Sequence, residues 1–191
     1  MKNDKNNLKN TLNQEKVNYK MLILFIGFAL AAGFLGSLLG GNMASFKTLK
    51  KPFFTPPPIT FPIVWTILYI LMGVSSYLIC CNKTDKKFKK RACFFYLIQL
   101  LVNTLWSLFF FRLSWFLFAF FWLLLLIALV IVMIIKFYKL KPLAAYLQIP
   151  YLLWLIIAGI LNISIVILNK KVLLNTFNLS KNIDVFSIFR L

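Results

Sequence analysis

Histidine is absent from the 191-residue chain, and only four residues are acidic: Asp4, Glu15, Asp85 and Asp184. All four lie outside the long apolar runs, so no carboxylate is placed within a membrane. Cysteine is scarce too, with Cys80, Cys81 and Cys93 at the edges of two apolar runs. Adjacent cysteines do not readily form a disulfide, and without histidine or buried carboxylates a zinc or iron site has too few ligands. The three therefore read as small apolar packing residues. General acid–base catalysis has no players in the apolar runs, and the lack of charge there, together with the lack of an inverted repeat, argues against ion-coupled transport.

What is present is hydrocarbon. Hydrophobic residues make up 61% of the chain and aromatics 17%, with a mean hydropathy of +0.85. The expected fold class is an all-α membrane protein, a bundle of five transmembrane helices, since roughly 20 residues at about 1.5 Å rise cross a bilayer core of about 30 Å. The spans are placed at Met21 to Leu39, Ile59 to Cys81, Ala92 to Phe111, Trp115 to Ile135 and Leu143 to Leu168. Only Arg112-Leu113-Ser114 separates the third from the fourth, which makes them antiparallel neighbours. Residues 1–20, rich in Asn and Lys, read as a disordered basic tail. They lack the Arg of a mitochondrial presequence, and the apolar run that follows is long for a signal peptide. Residues 21–169 form the membrane domain, and residues 170–191 a tail suited to the interface.

Basic residues number 22. Fourteen fall on the side of the amino tail, the loop near Asn82 to Arg91 and the loop Lys136 to Lys141, against eight on the other side. That bias weakly favours an internal amino terminus, and the positive charge reflects topology and anionic lipid rather than nucleic acid.

Polar residues within spans must find partners away from lipid. Trp65, Tyr69, Met72 and Ser76 share one face of the second span, Gln99, Asn103, Trp106 and Phe110 one face of the third, and Tyr151, Trp154, Ala158 and Asn162 one face of the fifth. These three stripes should converge on one interior. The fourth span has Trp115 and Trp122 but no polar stripe, so much of it is expected to face lipid. Two readings of the interior stand side by side. Gln99, Asn103 and Asn162 are interhelical glue worth about 0.6 kcal/mol each, or aromatic walls with a few amides enclose a flat apolar ligand, with Ala158 leaving room for it.

Gly33, Gly36, Ser37, Gly40 and Gly41 in the first span allow close backbone approach to a neighbouring helix or a second subunit, internal packing being favoured. Pro150 should kink the fifth span just before Tyr151. Ahead of the second span, Pro52, Phe53, Phe54, Thr55, Pro56, Pro57 and Pro58 form a stiff loop in which Phe54 to Pro58 is expected to be extended.

Three motifs carry a family resemblance. Lys51-Pro52-x-Phe54-x-Pro56-Pro57 followed by Phe61-x-x-Val64-Trp65-Thr66-x-Leu68-Tyr69-x-x-Met72-Gly73 is the first. Gln99-x-x-x-Asn103-x-x-Trp106-Ser107-x-x-Phe110-Phe111 is the second, and Pro150-Tyr151-x-x-Trp154-x-x-x-Ala158-x-x-Leu161-Asn162 the third. In this order, over about residues 25 to 169, the chain resembles the tryptophan-rich sensory protein and translocator protein family (TspO/MBR). The resemblance implies a five-helix bundle that binds porphyrins and other tetrapyrroles, and sterols in animals, in a pocket between the helices under the first long loop. Carried over by position, the ligand-binding residues are Phe54, Trp65, Asn103, Trp106, Trp154, Ala158 and Asn162. Lys47, Lys50 and Lys51 either pair with propionates at the mouth or, the favoured reading for lysines beside a membrane, simply set topology.

The departures are specific. Ser45-Phe46 replaces a Trp-Tyr pair and Phe54 replaces a loop tryptophan, which removes two indoles. Ile163 stands where the animal sterol motif has tyrosine. Phe94 and Ile98 replace a glycine pair that supports dimer packing in some relatives, so a homodimer is allowed without using that face. The resemblance implies a non-catalytic binding protein for hydrophobic tetrapyrroles, with sterols as a second ligand class, linked to their transport or regulation. It uses no cofactor or metal, and its partners are a hydrophobic ligand and membrane lipid. Light-dependent porphyrin degradation and a membrane scaffold are the alternatives. In a eukaryote the resemblance points to the mitochondrial outer membrane.

Overall fold

The computed structural model describes residues 17–41, 48–81 and 86–170. Among them there are helices and no strands: α1 (Tyr19–Gly40), α2 (Thr60–Cys80), α3 (Lys86–Ser107, closed by a π-helical turn Leu108–Arg112), α4 (Phe116–Leu140), α5 (Pro142–Tyr146) and α6 (Ile149–Leu168). The protein is an integral, multi-pass membrane protein, and among the described residues it has five spans, α5 and α6 together forming the fifth. Most of the amino tail and most of the carboxyl tail, with Ser45, Phe46 and Lys47, lie outside the described residues.

Local chemistry sets the ends of the spans. Asn18 caps α1 by accepting from Met21 N at 3.2 Å, while its own N–H donates to the Tyr77 hydroxyl at 2.9 Å, tying the start of α1 to the end of α2. Gly41, at φ +62°, stops α1 in a conformation that favours glycine. The turn after α3 uses a left-handed Ser114 (φ 56°). Leu113 N donates to Leu108 O and Trp115 N to Phe109 O, both at 2.9 Å.

Two spans run past the expected limits. α3 begins at Lys86 rather than Ala92, and α4 ends at Leu140 rather than Ile135. Lysine and arginine can extend a helix beyond the hydrocarbon because their stems lie along it while their charges reach water.

In the fifth span the expected kink is a break. α5 stops at Tyr146, Gln148 N donates to Ala145 O at 3.0 Å, and α6 restarts at Ile149 with Pro150 in its first turn. Proline has no N–H to give and is tolerated there.

The helices close in the order α1, α2, fifth span, α4, α3. α1 packs on both α2 and α3, α3 on α4, and α4 on α6. The glycine face of α1 packs internally: a Cβ on Gly33 would strike the Tyr69 ring, and one on Gly36 would meet the Thr104 backbone at 3.4 Å. Ser37 lies off this face and is exposed. From the other side, a Cβ on Gly73 would come within 2.5 Å of Ile26 Cα.

Much of α4 lies exposed on the outside of the bundle, as expected, while one stripe of it turns inward. Phe116, Ala119, Leu123, Leu126, Val130, Met133 and Phe137 are all buried. Their alternating spacing of three and four is a helix-packing seam. The seam is entirely apolar, so nothing in composition distinguished it from the lipid-facing side. Cys80 and Cys93 meet across α2 and α3 with sulfurs 2.8 Å apart, as free thiols, and Cys81 is exposed.

Candidate functional site

The site is built where α2 faces the fifth span. Backbone contact between α2 and this span is made through the short α5, where Ser75 Oγ donates to Ala144 O at 2.7 Å. Along α6 the backbones scarcely approach one another, and rings bridge the space. Trp65 stacks on Tyr69 (centroids 5.6 Å, 29° between planes) and meets Tyr151 edge-on at 6.2 Å, and Phe61 meets Trp154 edge-on at 5.9 Å. Phe61 was not among the expected site residues, although it lies one turn before Trp65.

Amides from α3 hold this wall. Asn103, 3% exposed, donates through Nδ2 to the Tyr69 hydroxyl at 3.0 Å, and the Tyr151 hydroxyl donates to Gln99 Oε1 at 3.1 Å. Both rings are fixed at their polar ends, which leaves the faces for packing. Several buried polar atoms on this side have no hydrogen-bond partner among the described residues: Trp154 Nε1, Gln99 Nε2 and both amide atoms of Gln148. An unmet donor in an apolar interior costs about 1–3 kcal/mol, so such atoms are where a polar guest gains most. Gln148, three residues before Tyr151 and on the same helical face, could have been found by that spacing.

The expected residues divide into two groups. Trp65, Asn103 and Trp154 belong to the aromatic wall, and Ala158, half-buried, packs at its edge. Trp106 and Asn162 turn to the start of α4. Trp106 Nε1 donates to Ala119 O at 3.2 Å, and its ring stacks on Phe110 at 4.9 Å. With its amide oriented to satisfy both atoms, Asn162 donates to Phe116 O at 2.9 Å and accepts from Phe120 N at 3.2 Å.

Phe54 stands apart from both groups. It is 44% exposed and meets Phe53 edge-on at 5.4 Å. Its loop is less extended than expected, because Thr55 turns back on Pro52 O through both its N–H (3.1 Å) and its hydroxyl (2.7 Å).

The loop is moored by a residue that sequence reasoning did not single out. Asn169, buried at the end of α6, accepts from Lys50 N at 2.9 Å and donates to Lys50 O at 2.9 Å. It also donates to Ile165 O at 2.8 Å. Beside this latch Leu49 packs on the cluster of Phe110, Phe116, Ala119 and Ile165. The segment before Pro52 is thus docked across the ends of α3, α4 and α6. The Lys50 and Lys51 side chains are exposed there.

Comparison with known proteins gives this geometry its family. Residues 25–168 match the TspO/MBR family, a stretch that takes in all the spans except the first turns of α1. The chain belongs to the TspO/MBR family. It is 35% identical over 150 residues to a tryptophan-rich protein TspO of Chlorobaculum tepidum, covering 78% of this chain and 95% of the relative. It is 36% identical over 155 residues to a protein of the same name in Archaeoglobus fulgidus (80% and 99%). To the translocator protein of Sus scrofa it is 34% identical over 148 residues (72% and 85%). The TspO/MBR match covers both the aromatic wall and the α4 junction. The Asn169 latch begins one residue past its end.

Proposed function

We propose that the protein is a non-catalytic membrane binding protein for flat hydrophobic ligands of the tetrapyrrole class, linked to their transport or regulation. The observation that carries this reading is the α2–α6 seam, bridged by rings rather than backbone, with Trp154 Nε1 unpartnered beside it. A flat ligand entering the seam exchanges ring–ring contacts for ring–ligand contacts of similar strength. Its ring nitrogens or carboxylates can meet Trp154 Nε1 and Gln99 Nε2, which adds hydrogen bonds without breaking any. Trp65 and Trp154 form the stacking surfaces, Asn103 and Gln99 hold the wall, and Ala158 leaves room at its edge. Trp106 and Asn162 support the site by fixing the start of α4.

The names of the relatives, tryptophan-rich sensory protein in Cereibacter sphaeroides and translocator protein in Sus scrofa, fit a binding role. Sterols share the flat apolar shape but offer one hydroxyl, so they would use fewer of the unmet amide atoms. In a eukaryotic cell the proposed location is the mitochondrial outer membrane, and a fluorescent fusion reports it directly.

Titration of protoporphyrin IX against intrinsic tryptophan fluorescence tests the binding role. Saturable quenching is expected in the parent, with weaker binding in Trp154→Ala. No saturable quenching in the parent would sink the proposal.

A further inference from the structure

A concavity lies on the opposite side of the bundle from the Pro52 loop, between the start of α3 and the end of α4. It has a volume of about 150 Å³. Phe88 and Arg91, one turn apart on α3, face Val132, Ile135, Lys136 and Lys139, which share one face of α4. Lys136 is half-buried, with its ammonium 4.8 Å from the centre of the Phe95 ring, so one cation is held in place by a cation–π contact. Three cations from two helices therefore converge over an apolar floor. All of the chain's carboxylate side chains, Asp4, Glu15, Asp85 and Asp184, fall outside the described residues, so no described side chain neutralises them.

We propose that this groove binds one anionic phospholipid, its phosphate between Arg91, Lys136 and Lys139 and an acyl chain along Val132 and Ile135. Arginine and lysine together suit a phosphate, the first through its planar fork and the second as a point charge. Position favours a lipid over a free anion. The groove sits where the helices leave the hydrocarbon, and Val132 and Ile135 are exposed on the outer surface of the bundle. A soluble phosphate would gain nothing from that apolar floor, whereas a lipid presents charge and chain at this spacing. The site is separate from the aromatic seam and does not depend on what the seam binds.

Native mass spectrometry of the full chain in neutral detergent, titrated with phosphatidylglycerol, tests the proposal. One saturable adduct is expected, with no equivalent from phosphatidylcholine at the same concentration. The triple variant R91Q/K136Q/K139Q should bind about a hundredfold more weakly, at roughly fivefold per basic side chain. K86Q/K90Q/K141Q removes the same charge from the same side of the membrane and should stay within about threefold of the parent. Melting curves without added lipid check that both variants fold. If the groove triple does not, R91Q alone should show about a fivefold loss. Equal weakening in both triples, or equal uptake of phosphatidylcholine, would overturn the proposal. Displacement by glycerol 3-phosphate at the lipid's own concentration would overturn it as well, by assigning the groove to a free anion.

Discussion

Trp154 and Trp106 are the same residue type on facing sides of one bundle, and their indole nitrogens separate their roles. Trp106 Nε1 is spent on Ala119 O, while Trp154 Nε1 is buried without a partner. Phenylalanine keeps most of the ring and removes the nitrogen, so it separates the two. Trp106→Phe should lower stability by about 1 kcal/mol and leave porphyrin affinity nearly unchanged. Trp154→Phe should do the reverse, weakening porphyrin about fivefold with little change in melting temperature. Fluorescence titration and thermal melts of the two variants check both outcomes. Loss of affinity in Trp106→Phe alone would reverse the assignment. The thiols divide in a comparable way: exposed Cys81 should react with maleimide before Cys80 and Cys93, which face each other between helices. Peptide mapping after brief labelling reads that order.

At the scale of helices and loops, close approach is the governing constraint. Gly73→Ala would place a methyl group 2.5 Å from the backbone of Ile26, which no rotamer can relieve, and should destabilise the protein by about 1–3 kcal/mol. Thermal unfolding in detergent measures it. The loop latch gives a different signature. Asn169→Ala removes the two bonds to Lys50 and should raise the porphyrin off-rate about fivefold, seen by stopped-flow quenching, with a smaller effect on the on-rate.

Much of this level was legible in the sequence. Apolar length placed all five spans, and stripes at helical spacing (i, i+4, i+7 in the second and third spans, i, i+3, i+7 in the fifth) found Trp65, Tyr69, Gln99, Asn103, Tyr151 and Trp154 on facing surfaces. Hydropathy could not see where hydrogen bonding continues under charged residues, so the starts and ends near Lys86 and Leu140 were missed. Nor could it separate the buried seam of α4 from its lipid face, because both are apolar. The split of Trp106 and Asn162 from the aromatic wall depends on which carbonyl each side chain reaches. Asn169 escaped notice because its partners are backbone atoms, which leave no mark on residue type.

For the whole molecule, the order of closure decides where it can open. The α1–α2, α1–α3, α3–α4 and α4–α6 contacts bring helices close together, whereas α2 and α6 are joined through Phe61, Trp65, Tyr151 and Trp154. A guest between those rings should therefore order α2 and α6 most. Hydrogen exchange with and without protoporphyrin should show added protection concentrated in Thr60–Cys80 and Ile149–Leu168. Equal gains in α1 would contradict entry by the seam.

The latch at Asn169 also bears on how such a protein can change over time. It grips residue 50 by the main-chain N–H and carbonyl alone, so any side chain at that position satisfies it except proline, which has no N–H. The mooring is thus indifferent to the loop's sequence at its own anchor point. Residue 50 itself is free to drift while the loop stays fastened to the same end of the bundle.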